Sequence, residues 1–112
     1  MLLTVAELPE YQKASARLMG SEERTAIVQF LAARPKAGAL MEGTGGIRKL
    51  RWGREGRGKS GGVRVVYYFH SDDMPLYLLT VFAKNERANL SKGERNEHAG
   101  LVDLLKQIWF ER

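Results

Sequence analysis

The stretch IRKLRWGREGRGKSGGVRVVYYFH (residues 47–70) decides the fold. Side chains of residues 47–52 alternate between two faces, with 47, 49 and 51 on one and 48, 50 and 52 on the other, which predicts a strand. Residues 63–70 are rich in β-branched and aromatic side chains and predict a second strand. Residues 53–62 are too glycine-rich and too charged to pack, so we expect a mobile basic loop that joins the two strands.

The flanking segments complete an α+β pattern. Residues 77–82 (YLLTVF) predict a third strand after a turn at 71–75, and residues 2–6 predict a short edge strand. Residues 9–19 and 21–34 have helical periodicity, with Ser21 as the expected cap of the second helix and Pro35 ending it. Ser91 and Glu94 form a capping box before a final amphipathic helix. We therefore predict a helical hairpin, an antiparallel sheet of three or four strands and a closing helix.

Length and composition bound the class of protein. A chain of 112 residues fits one domain, 1–112, and 44% hydrophobic residues suffice for a core. The absence of cysteine excludes disulfides, a thiolate zinc site and a cysteine nucleophile. No apolar run approaches the roughly 18 residues that span a bilayer, and residues 1–6 do not resemble a signal peptide, so we expect a cytoplasmic protein without membrane contact.

Positive charge is concentrated in one segment. Residues 43–70 contain seven basic residues and one acid, a balance of +6, whereas the whole chain carries +5, which leaves −1 for the remainder. A block of this kind is typical of a face that meets nucleic acid or an acidic partner. The candidate contacts to RNA are Arg48, Arg54, Arg57, Lys59, Tyr68 and His70.

Most catalytic constellations are missing from the sequence. There is no phosphate loop, no H-E-x-x-H metal motif and no nucleophile elbow. We expect neither a metal nor another cofactor. His70 shares strand parity with Arg64 and is a candidate proton donor, since imidazole titrates near neutral pH.

A cationic site remains as the source of chemistry. RNA cleavage by its own 2′-hydroxyl requires that the charge of the phosphorane be neutralised and the leaving oxygen protonated. Arginine binds phosphate through a planar fork, and a lysine among other cations has a lowered pKa suited to proton transfer. Lys49, Arg51 and Arg64 are the candidates; the alternative is that they form a solvated face or pair with an acidic partner.

Aromatic residues are interleaved with these cations and offer stacking platforms for unpaired bases. Strand alternation sends half of them inward, so Trp52, Tyr67 and Phe69 are expected in the core. Tyr68, which has the parity of Arg64, is expected at the surface.

Three blocks in order carry a family resemblance: GTGGIRKLRW, GKSGGVRVVYYF and YLLTVFAKNE, followed by a terminal helix. Together they resemble the RelE-like toxins of toxin–antitoxin pairs, in particular the HigB branch, over nearly the whole chain. The resemblance implies a ribosome-dependent, metal-independent endoribonuclease that cleaves mRNA in the ribosomal A site and contacts ribosomal RNA there. It also implies an antitoxin partner, usually of helix-turn-helix type, through which alone the toxin reaches operator DNA.

The same resemblance implies roles for individual residues. Lys49 and Arg51 match the paired basic positions of the first strand, Arg64 matches the arginine of the next, and Lys84 matches the basic position before the last helix. Asn85 stands where some relatives have arginine, and a functional tyrosine near residue 90 has no counterpart. Two alternatives stay open: a gyrase-targeting toxin of the ParE branch, which shares the scaffold but lacks the basic face, and a non-catalytic RNA-binding module.

Overall fold

A computed structural model describes residues 3–53 and 62–110. The elements run in the order β1 (Val5–Glu7), α1 (Pro9–Leu18), α2 (Ser21–Ala33), β2 (Ala39–Leu40), β3 (Ile47–Trp52), β4 (Val63–Tyr68), β5 (Leu76–Ala83) and α3 (Lys92–Phe110). The fold is α+β, as predicted, with the helical hairpin at the beginning and the amphipathic helix at the end. Within the described residues, none of the helices is long and apolar enough to cross a membrane.

The sheet has five strands in the order β1-β5-β4-β3-β2, rather than three or four. The pairs β2–β3, β3–β4 and β4–β5 are antiparallel, but β1 pairs in parallel with β5. The edge strand predicted near the start of the chain is therefore present, whereas the two-residue β2 was not predicted. After α1 and α2 the chain enters β2 in the direction opposite to β1, and three successive antiparallel pairings bring β5 back into the direction of β1.

Two apolar layers cover the two faces of the sheet. Tyr11 of α1 and Ile27 and Leu31 of α2 are fully buried against the face that carries Val65 and Tyr67. Val102 and Leu105 of α3 pack against the opposite face, next to Val66 and Tyr68 of β4. Each strand of the centre is thus buried on both sides, which explains why β4 reads as a continuous apolar run broken only by one arginine.

The predicted N-terminal cap is confirmed for α3 and wrong for α2. In α3 the Glu94 amide donates to the Ser91 hydroxyl over 3.1 Å and the Ser91 amide donates to the Glu94 carboxylate over 2.8 Å, which confirms the capping box. In α2 the prediction of Ser21 as the cap was wrong. Gly20 occupies the cap position and Ser21 is the first helical residue, without a capping hydrogen bond from a side chain.

A glycine turn sets the start of β3. Gly43, Gly45 and Gly46 have positive φ angles of 72°, 76° and 113°, which side chains with a Cβ rarely adopt. The hydroxyl of Thr44 donates to the Met41 carbonyl over 2.6 Å and accepts from the Ile47 amide over 3.1 Å. These glycines therefore serve the turn between β2 and β3 and explain the G-T-G-G sequence without a phosphate.

Gly100 lies in the interior of α3, is exposed, and has open space where a Cβ would be. We expect Gly100→Ala to raise the free energy of unfolding by about 1 kcal/mol, because alanine restricts the unfolded chain and favours the helix. Thermal unfolding followed by circular dichroism measures this, with a rise in Tm of roughly 4 °C expected.

Gly38→Ala is the matched control for that substitution. Its Cβ would lie 2.8 Å from the Tyr67 ring and 3.0 Å from the backbone of Lys49, so it should lower Tm. A fall in Tm for Gly100→Ala would contradict the account of α3 as a helix with open space at that position.

Candidate RNA-cleaving site

The register of β3, β4 and β5 builds the centre of the site. Arg51 is the cross-strand partner of Arg64, and Arg64 in turn is opposite Phe82 of β5. Lys49 is opposite Val66, two residues along, so Lys49, Arg51 and Arg64 share the face of the sheet on which α3 packs. The sequence-predicted alternation of β3 is confirmed, and three of the four predicted catalytic residues are brought together.

Arg64 is held in an unusual environment for a cation. It is 8% exposed on the central strand, and one guanidinium nitrogen donates to the Val63 carbonyl over 3.2 Å. Burial and the positive charge of Arg51 both lower its pKa. Like charges placed opposite each other across two strands oppose folding, so this pair has a cost to stability that an anion would relieve.

Arg51 is exposed and has no ion-pair or hydrogen-bond partner for its side chain within the described part of the chain. Arg64 likewise has no carboxylate partner there. Among the described residues, no acid forms an ion pair with either arginine. A phosphate that approached the two guanidinium groups would meet hydrogen-bond donors that no internal acid occupies.

Arg87, which the sequence analysis did not single out, adds a further guanidinium. It lies over the ring of Phe82, with 5.3 Å between the guanidinium carbon and the ring centroid, and Glu94 accepts hydrogen bonds from both of its terminal nitrogens. Its Nε donates to the backbone carbonyl of Asn89 over 3.1 Å, and the Asn89 side-chain oxygen accepts from Lys49 over 3.3 Å. We call Lys49, Arg51, Arg64 and Arg87 the cationic face.

Lys84 follows directly on β5, and its side chain is exposed. Its backbone amide donates to the carbonyl of Gly62 over 3.1 Å, which ties the end of β5 to the start of β4. Gly62 is two residues before Arg64, so the backbone of Lys84 lies near the start of β4, and the assisting role of its side chain stays a prediction.

Tyr68 was expected at the surface and that prediction was wrong. It is 3% exposed and packs in the apolar layer beneath α3 with Val102 and Leu105. Burial raises the pKa of its hydroxyl, and the nearby Asp103 carboxylate adds to the rise. Tyr68 does share the face of Arg64, but α3 covers that end of the face, so the ring cannot stack on a base.

His70 follows Arg64 by six residues in the sequence. β4 ends at Tyr68, so His70 lies just beyond the strand that carries Arg64. The His70 ring is exposed, 4.8 Å from the ring of Phe110, beside a groove of about 660 Å³ that Arg34 and Lys36 also line. No contact joins His70 to Arg64 among the described residues, and the assignment of His70 as a proton donor stays a prediction.

Arg48 lies on the opposite face from the cationic face. One of its guanidinium nitrogens donates to the carbonyl of Gly38 over 2.7 Å and to that of Lys36 over 3.2 Å. The Arg48 guanidinium therefore binds the segment between α2 and β2 and does not lie next to Arg64. The other predicted RNA contacts Arg54, Arg57 and Lys59, and with them most of the predicted basic loop, lie outside the described residues.

Predicted core aromatics are found where the sequence placed them. Tyr67 is fully buried, while Trp52 and Phe69 are half-buried against the layer formed by α1 and α2. No group of three or more histidine, cysteine, aspartate or glutamate side chains with the geometry of a metal site lies in the described ranges.

The described residues form a small α+β domain whose sheet carries cations at one end, between a helical hairpin and a closing helix. Residues 30–109 match the family described as the RelE toxin of the RelE/RelB toxin–antitoxin system. The match covers well over half of the chain, so the protein belongs to the RelE toxin family and is a toxin of a toxin–antitoxin system, with an antitoxin as its partner.

A solved structure has the same fold. The E. coli toxin RelE, in a variant with two arginines replaced by alanine and in the free state, superposes with a TM-score of 0.58 at 17% sequence identity. The alignment covers 91% of this chain and 98% of that one. At this identity the likeness establishes the architecture of the chain and leaves residue roles to the geometry above.

Proposed function

We propose that the protein is a ribosome-dependent endoribonuclease of the HigB branch, which cleaves mRNA in the A site without a metal and thereby inhibits translation. The observation that carries the proposal is the pairing of Arg51 with Arg64 across two central strands, with no acid of the described chain bound to either. Membership in a toxin family gives such an anion site a purpose, since RNA is a polyanion that a basic toxin meets in the cytoplasm.

The chemistry divides among the residues by their environment. Arg64, buried and hydrogen-bonded to the Val63 carbonyl, stabilises the charge that develops on the scissile phosphate, and Arg51 contacts the same phosphate from the exposed side. The 2′-hydroxyl attacks phosphorus, the bond from phosphorus to the 5′-oxygen breaks, and that oxygen takes up a proton. Glu94 is no proton donor at neutral pH, because its hydrogen bonds to Arg87 and to the Ser91 backbone lower its pKa to about 2.

Lysines are therefore the candidates for proton transfer. Lys49 lies on the cationic face, where the Asn89 side chain accepts its hydrogen bond, and Lys84 follows directly on β5. We propose that Lys49 takes part in the proton transfer and that Lys84 assists. Arg48, Arg54, Arg57, Lys59 and His70 lie outside this chemistry and are proposed as contacts to ribosomal RNA around the site. The antitoxin is proposed to be a helix-turn-helix protein that alone contacts operator DNA.

Primer extension on a defined mRNA bound to purified ribosomes tests the function. We expect cuts within the A-site codon that require ribosomes and that vanish for Arg64→Ala. The cuts should persist when EDTA is added at a concentration at which the ribosomes stay assembled. A folded wild-type protein that produces no cuts on ribosomes would overturn the enzyme.

Two further measurements then distinguish the alternatives. Binding of wild type to ribosomes without cleavage would indicate a non-catalytic RNA-binding module. Inhibition of DNA supercoiling by gyrase would indicate a toxin of the ParE kind.

A further inference from the structure

The ion pair between Arg87 and Glu94 occupies one corner of the cationic face. Both terminal nitrogens of Arg87 donate to the two oxygens of the Glu94 carboxylate, one of them over 3.1 Å, in a fork-to-fork arrangement. Each side chain is 38% exposed, so the pair lies at the surface and solvent reaches it. Glu94 is the acid that neutralises a member of the cationic face within the described residues.

The pair is physically connected to the arginines that we assign to the phosphate. The Arg87 guanidinium lies over Phe82, and Phe82 is the direct cross-strand partner of Arg64. Asn89 links Arg87 to Lys49, accepting a hydrogen bond from each through its backbone and side-chain oxygens. Arg87 therefore contacts Phe82, the cross-strand partner of Arg64, and shares Asn89 as a hydrogen-bond acceptor with Lys49.

A carboxylate in the fork of an arginine uses the same donors as a phosphate would. Both anions present two oxygens to two parallel N–H groups, and bidentate pairs of either kind have the same geometry. A nucleic-acid strand that crosses the cationic face therefore brings a second anion that fits the fork now filled by Glu94.

Neither residue would be left unpartnered by such an exchange. Glu94 would keep the hydrogen bond from the Ser91 amide in the capping box, and Arg87 would keep Phe82 and the Asn89 carbonyl. The exchange is therefore local, with the first turn of α3 intact. An ion pair that is exposed to this degree contributes little to folding, so opening it has a small effect on stability.

We propose that Glu94 occupies the phosphate-binding fork of Arg87 in the free protein and gives it up to a phosphate of the bound RNA strand. Arg87 is then a further RNA-binding residue, and Glu94 is a positioning residue that limits how tightly free RNA is held. The inference rests on the proposed function, because it takes RNA to be the ligand of the cationic face.

Glu94→Gln tests the exchange, since glutamine keeps the capping box and removes only the charge. The probe is a short single-stranded 2′-O-methyl RNA, which lacks the attacking hydroxyl, and binding is followed by fluorescence anisotropy. We expect the affinity to rise about fivefold at low salt, because the RNA phosphate no longer has to displace a carboxylate from the Arg87 fork.

Two controls separate this effect from a general change in charge. Glu97→Gln removes an exposed acid one turn further along α3 and should leave the affinity unchanged. In an Arg87→Gln background, Glu94→Gln should change the affinity less than twofold, because the fork that it frees is gone. Thermal unfolding should show that all variants are folded.

Other results would overturn the exchange. A loss of affinity in Glu94→Gln would mean that the carboxylate supports binding, and an equal gain with and without Arg87 would mean that only net charge matters. Absence of binding by both wild type and Glu94→Gln would refute Arg87 as a contact to free RNA. Cleavage on ribosomes decides the proposed function separately, so the two failures are distinguishable.

Discussion

Replacing Arg64 with alanine is expected to lower the rate of A-site cleavage by about a thousandfold, the upper range for removal of one preorganised donor to a developing oxyanion. Arg64 is the buried member of the Arg51–Arg64 pair and is anchored through the Val63 carbonyl, so its guanidinium is already oriented before RNA arrives. Single-turnover primer extension at saturating toxin measures the chemical step and separates it from ribosome binding.

Arg64→Lys provides the sharper test because it keeps a cationic residue and removes the fork. The same burial and the same Arg51 charge that lower the pKa of Arg64 would lower that of a lysine at this position. A group whose pKa is lowered in the folded site is charged only at the lower pH values. We therefore expect Arg64→Lys to be slow at neutral pH and to gain rate relative to wild type as the pH falls.

Arg48→Ala is the matched control, since it removes an arginine of β3 from the opposite face. It should leave the single-turnover rate within a few-fold of wild type at equal ribosome occupancy. A rate for Arg64→Ala near that of wild type would show that another group stabilises the phosphate and would refute the assignment. An Arg64→Lys rate parallel to wild type at every pH would refute the electrostatic account of the site.

The sequence predicted those parts of the fold whose signal is local. The bounds of β3 coincide with the predicted 47–52, because six residues of strict alternation identify a strand and its two faces. The capping box of α3 was equally local. The parallel pairing of β1 with β5 was not predictable in this way, since alternation identifies a strand but not its partner some 70 residues away.

The sequence analysis misjudged the exposure of Tyr68 and missed Arg87, because a strand pattern encodes neither of them. Parity along β4 correctly placed Arg64 and Tyr68 on one face, but exposure on that face depends on where α3 lies, and no feature of β4 encodes that. Arg87 was missed because it lies between β5 and α3, where no periodicity applies. Its position seven residues before the capping-box glutamate was the available signal, because that glutamate is fixed at the start of the helix.

The hydroxyl of Tyr67 joins the sheet to the segment between α2 and β2. It accepts a hydrogen bond from the Gly38 amide and donates one to the Pro35 carbonyl, each over 2.8 Å. Tyr67 is fully buried, and burial raises the pKa of its hydroxyl, although the Gly38 hydrogen bond and the Arg48 charge oppose the rise. The hydroxyl is therefore a neutral donor and acceptor throughout the ordinary pH range, and its contribution is to stability.

Tyr67→Phe is expected to lower the free energy of unfolding by about 2 kcal/mol, because it leaves a buried amide and a carbonyl without their partner. The corresponding fall in Tm is roughly 8 °C for a domain of this size. Tyr68→Phe is the matched control next to it: Tyr68 is equally buried, but its hydroxyl makes no hydrogen bond within the described residues, so we expect little change. Equal losses in the two variants, measured by thermal and urea unfolding, would show that the packing of the rings matters and that the Tyr67 hydrogen bonds do not hold this segment. A loss of stability in Tyr67→Phe alone, with an unchanged single-turnover cleavage rate, would show that the Tyr67 hydrogen bonds stabilise the fold. It would also show that they do not contribute to cleavage on the opposite face of the sheet.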